Sequence, residues 1–135
     1  MKLKAKIIIV VSITILITAV TLILSSEKLP TDKTFIFEPK KLTVMLNTKE
    51  VIKIYPEVLW SICNSDSFSD IFSEFNERKV KERIYEPLSL HLRIKAAINK
   101  TSNGIIYYTD EIKKEVQKDV DNIGICIDGL KIITL

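Results

Sequence analysis

Val51 to Cys63 reads VIKIYPEVLWSIC. Ile52, Ile54, Val58, Trp60 and Ile62 share one parity, while Lys53, Tyr55, Glu57 and Ser61 share the other. A period of two with one apolar side is the signature of a half-buried antiparallel strand. Trp60, on the apolar side, is expected as a core anchor. Pro56 has no N–H to give to a ladder, so an edge position or a bulge is expected there.

Working back from this strand, Asn47-Thr48-Lys49-Glu50 reads as a turn, with Asn supplying the tolerance for a left-handed conformation. Leu42 to Leu46 and Thr34 to Glu38 are two further short strands, the earlier one stopped at Pro39. Working forward, Asn64-Ser65-Asp66-Ser67 offers side-chain oxygens for a helix N-terminus. Phe68, Ile71, Phe72 and Phe75 then follow at helical spacing and are expected to form one buried stripe. Asn76 to Lys79 is polar and separates this helix from the next. The next pattern runs from Val80 through Ile84, Leu88 and Leu92 to Ile98, with Pro87 expected to kink it or to start a new helix.

Thr101-Ser102-Asn103-Gly104 reads as the stop of that helix, with Gly104 at a left-handed position. Ile105 to Tyr108 is then a short apolar link, and Thr109 the cap of a last helix with Ile112, Val116, Val120 and Ile123 as its buried stripe. Asp110 and Glu111 sit in its first turn, where negative charge complements the helix dipole. Gly124 ends it. Ile125 to Leu135 is a closing strand, with a bulge or turn permitted at Gly129. Strands first, helices after them and one terminal strand indicate an α+β domain, a small antiparallel sheet with helices packed on one face.

The domain spans residues 34–135 and follows a different kind of segment. Ile7 to Leu24 reads IIIVVSITILITAVTLIL, without charge, Pro or Gly. Its length is about what a helix needs to cross a hydrocarbon core ~30 Å thick. Lys2, Lys4 and Lys6 precede it, and a short Lys-rich flank stays cytoplasmic. The expected organisation is a cytoplasmic tail (1–6), a transmembrane signal anchor (7–24), a juxtamembrane linker (25–33) and an extracytoplasmic domain (34–135), a single-pass protein of the cell membrane. A cleaved signal peptide is the competing reading. It fits less well, because such apolar regions run only ~7–15 residues and Ser25-Ser26 makes a poor cleavage site.

The net charge of +3 is carried by Lys2, Lys4 and Lys6, so the remainder of the chain is formally neutral. A neutral domain argues against a nucleic-acid partner. The only His is His91, without a second ligand at metal spacing, and no Gly-rich phosphate loop or nucleophile elbow is present. No catalytic, cofactor-binding or metal-ligating residue can be named, and no cofactor is implied; a non-catalytic protein is expected. Cys63 and Cys126 match no metal motif. Two buried apolar thiols are the simpler reading, and a disulfide in an oxidising compartment is the alternative.

Three segments carry a family resemblance. LNTKEVIKIYPEVLWSI (46–62) is similar to a strand pair in which Thr48-Lys49-Glu50 fill the turn and Val58-x-Trp60-x-Ile62 the second strand. FSEFNERKVKERIYEPLSLHLR (72–93) resembles a helix pair matched at Ile84, Pro87, Leu88 and Arg93. IIYYTDEIKKEVQKDVDNIGICIDGLKI (105–132) resembles a closing helix-strand unit matched at Glu111, Ile112, Val116, Gly124, Ile125, Ile127, Leu130 and Ile132. Together they resemble the SPFH domain, also called band 7 or PHB, of stomatin, prohibitin and HflK/C. Val51 and Ser61 depart from the family's usual Gly and Arg, and the sequence reaches Leu135 where the family enters a long coiled coil, so a short form is implied.

The resemblance implies a membrane scaffold. Its expected partners are membrane lipids, further copies of itself through the SPFH-like domain, and a membrane protease or another membrane protein. The exposed sheet edge near Pro56 or the terminal strand is the expected contact surface. A FliL-like flagellar motor accessory protein shares the single anchor and compact domain and is the alternative, as is a non-catalytic subunit of another membrane complex.

Overall fold

The computed structural model describes residues 29–134. The expected anchor at Ile7–Leu24, the tail before it and the first part of the linker lie outside the described residues. Among the described residues no helix is long and apolar enough to cross a membrane.

The chain forms β1 (Thr34–Phe37), β2 (Leu42–Met45), β3 (Val51–Ile62), α1 (Ser65–Ile71), α2 (Glu77–Ile98), α3 (Ser102–Tyr107), α4 (Thr109–Val120), a 3₁₀ turn at Asp121–Ile123 and β4 (Ile125–Thr134). The class is α+β with one antiparallel sheet, as the sequence order implies. β3 is the central strand. β4 runs along one flank of it, pairing from Ile62↔Ile125 to Ile54↔Thr134. β1 and β2 share the other flank end to end, β1 opposite Val58–Ser61 and β2 opposite Val51–Ile54. Ile54, Val58, Trp60 and Ile62 point into the core, where they meet Val80, Ile84, Leu88, Leu92 and Ala96 of α2 and Ile112, Val116 and Val120 of α4. Phe35, the cross-strand neighbour of Trp60, stacks on its ring at 4.4 Å. The other face of the sheet has exposed Thr43, Lys53 and Lys131.

Pro56 sits neither on an edge strand nor at a bulge. The Cys63 N–H donates to the Gly124 carbonyl, so odd-numbered residues of β3 turn their backbone toward β4 and even-numbered ones toward β1 and β2. Pro56 therefore faces the gap between those two strands, where no ladder donor is required. The irregularity lies at Leu59/Trp60, which oppose Gly129 and Ile127 and leave Asp128 as the extra residue, next to the glycine expected to allow it.

The helical region departs from expectation in several places. α1 is capped by Asn64, whose Oδ1 accepts the Ser67 N–H at 3.1 Å, but it stops at Ile71, which is 48% exposed. Phe72 leaves the helix and still packs on Phe68. Asn76 accepts from the Lys79 N–H, so Glu77–Lys79 open the long helix rather than break it. α2 is one element of 22 residues with Pro87 inside it. Thr101 to Gly104 begin a helix instead of closing one: Thr101 caps α3 and Gly104 has no left-handed φ. Ile105, expected in a link, is fully buried in α3. The residue before α4 is Tyr108, and the Thr109 hydroxyl donates back to the Ile106 carbonyl at 2.6 Å. Lys49 rather than Asn47 takes the left-handed position of the β2–β3 turn. Leu29, assigned to the juxtamembrane linker, packs against the core.

The cysteines are joined. Cys63 and Cys126 form a disulfide with their Cα atoms 5.7 Å apart, which corrects the simpler reading of two buried thiols. Both residues have the outward parity of their strands, at the end where β3 and β4 meet; Cys63 is exposed.

Candidate functional site

β4 borders β3 on one side only, and its other edge, like the outer edge of β1 and β2, carries backbone groups that no strand among the described residues pairs. Alternation places Ile125 and Ile127 with their backbone away from β3. Gln117 of α4 meets both: its Nε2 donates to the Ile125 carbonyl at 2.9 Å and its Oε1 accepts the Ile127 N–H at 2.6 Å. The side-chain amide thus takes the place of a neighbouring strand's peptide group. The same Nε2 is 2.6 Å from Asp121 Oδ1, which orients it. At the bulge, Lys113 Nζ donates to the Asp128 carbonyl at 3.4 Å.

Beyond the bulge this cover ends. Leu130 and Ile132 turn their backbone outward and have no hydrogen-bond partner on that side among the described residues. Lys131 and Ile133 project from the sheet face there and are exposed. Beside the covered half, α4 and β4 enclose an open cleft of about 520 Å³ flanked by Lys113, Lys114 and Lys118, with Asp110 as its acid. On the sheet face, the gap between β1 and β2 forms a second hollow of about 470 Å³, bounded by Lys40, Lys41, Tyr55, Pro56 and Ile133. The two surfaces expected from sequence, the region of Pro56 and the terminal strand, are therefore adjacent through Tyr55 and Ile133, which pair across β3 and β4.

His91 is placed on α2 with Nε2 2.9 Å from Asp119 Oδ2 of α4, and Lys95 lies 2.7 Å from Glu111 one turn further on. Both contacts clamp the two helices together. Ser89 donates to the Glu86 carbonyl. Among the described residues no group of three or more His, Cys, Asp or Glu is placed to hold a metal ion. Gln117 was not visible in the sequence, where it is one more polar residue on an amphipathic helix. Only the register of α4 against β4 gives it a role. No protein-family model matches the chain, and no curated protein matches it.

Proposed function

We propose that the chain is a single-pass, membrane-anchored scaffold of the SPFH type, whose extracytoplasmic domain associates side by side with further copies and organises or regulates other membrane proteins, such as membrane proteases. The observation that carries the reading is the Cys63–Cys126 disulfide beside the end of the domain where the chain arrives at Thr34. Such a bond persists in oxidising compartments. It supports the topology inferred from Lys2, Lys4 and Lys6, with the domain on the far side of the membrane. The three segments that resemble the family fall on β3, on α2 and on the α4–β4 unit, which share one core.

A tether confines copies to two dimensions and raises their effective concentration, so weak lateral contacts suffice. β1, β2 and β4 all run antiparallel to β3, hence parallel to one another. Copies standing in the same membrane thus present the open half of β4 to the β1–β2 edge of a neighbour in a common direction. Such a head-to-tail contact propagates beyond a dimer.

The test is amine-reactive crosslinking of intact membranes, followed by extraction in mild detergent. A ladder of homo-oligomers is expected. Ile133→Lys together with Thr134→Lys should shorten it, because edge lysines oppose strand addition. A strict monomer joined to one foreign membrane protein would overturn the scaffold reading in favour of an accessory subunit.

A further inference from the structure

α2 has two apolar stripes. Val80, Ile84, Leu88, Leu92 and Ala96 face the core. On the opposite side Leu90, Ile94 and Ile98 follow one another at intervals of four, 54%, 47% and 57% exposed, and exposed Ala97 lies beside them. Tyr107 of α3 is also an exposed apolar residue, at 82%. Isolated surface hydrophobics are ordinary. Here three lie in line along ~12 Å of one helix and form a continuous apolar strip on its outer side.

We infer that this stripe pairs with the same stripe of a second copy, helix α2 against helix α2 in parallel. The inference rests on the anchored topology proposed above. The chain enters the sheet at Thr34, and the ring of Phe35 lies 5.4 Å from that of Phe75, just ahead of the start of α2. At the far end of α2 the Asn99 carbonyl accepts the Asn47 N–H of the β2–β3 turn. α2 thus runs away from the anchored end. Two copies held by residues 7–24 in one membrane stand with their α2 helices pointing the same way. A two-fold axis along the membrane normal then sets Leu90 against Leu90 and Ile94 against Ile94. In heptad terms Ile94 takes an a position between Leu90 and Ala97 at d, and within parallel coiled coils a β-branched residue at a with Leu at d favours two strands. An antiparallel pair would demand that one domain be inverted relative to its membrane. This contact is isologous and closes at two copies, whereas the contact along β4 propagates; together they would join rows of domains into pairs of rows.

The experiment places the photo-crosslinking residue p-benzoylphenylalanine at Ile94 in the full-length protein in its own membranes. Irradiation should yield a homodimer from position 94. Adding Leu90→Glu should lower the yield from position 94 by about tenfold or more, since a carboxylate in the contact costs more than ~1.4 kcal/mol. If position 94 gives no adduct, or an adduct with a foreign protein, while amine crosslinking of the same membranes still shows the ladder, this pairing is overturned and the scaffold reading stands. If neither adduct nor ladder forms, both fall.

Discussion

The side chain of Gln117 is hydrogen-bonded to the backbone of Ile127 at 2.6 Å, and through its other terminal atom to the carbonyl two residues earlier. A helix residue thereby completes the edge of a strand. Gln117→Ala should leave a donor and an acceptor unpaired at a half-buried site and cost about 1–2 kcal/mol. Hydrogen exchange should show the loss first at the Ile127 amide. Unchanged protection at Ile127 would mean that the amide contributes nothing to holding that edge.

The disulfide closes a separation of 63 residues that includes every helix of the domain. Replacing both Cys63 and Cys126 by Ala should lower stability by about 2–4 kcal/mol, mostly by freeing the unfolded chain. Because Cys63 is exposed, reductant should shift the melting of the wild type toward that of the double variant and leave the variant itself unmoved.

Gly124 has φ 77°, and its carbonyl accepts the N–H of Cys63 and of Asn64. A Cβ there would run into the Asn64 carbonyl and the Phe68 amide at the start of α1. Gly124→Ala should therefore destabilise by more than the ~1 kcal/mol of a left-handed alanine alone, as denaturant titration would show. Gly104→Ala is also expected to destabilise, by contact with Asn99, but at an ordinary φ the Asn99 side chain can give way.

Trp60 is the only tryptophan, fully buried, and its Nε1 has no hydrogen-bond partner among the described residues. Its emission should be blue-shifted in the folded domain and should report unfolding as a single transition. Trp60→Phe should cost less than its lost volume implies, because the change also removes an unpaired donor. Trp60→Ala, which opens the cavity against Phe35, should cost about 3–5 kcal/mol.

By itself the amino-acid sequence determined the elements whose pattern is local. The alternation of Ile54, Val58, Trp60 and Ile62 made β3, the spacing of Ile112, Val116 and Val120 made the buried side of α4, and Asn64 and Gly124 marked a start and a stop. These signals are short-range because strand parity, helical periodicity and capping are set by the nearest few residues. Tertiary structure alone decided the rest. Pro56 is tolerated in a central strand because two other strands leave a gap beside it, and the IIYY stretch is helical because Ile105 finds a place in the core. Cys63 and Cys126 bond because β3 and β4 bring them to one corner of the sheet. Gln117 acquires its partners from the same packing, and the stripe at Leu90, Ile94 and Ile98 stands out only once the other side of α2 is known to be filled. Each depends on residues tens of positions apart, and the free energy that places them belongs to the assembled core rather than to any local run of sequence.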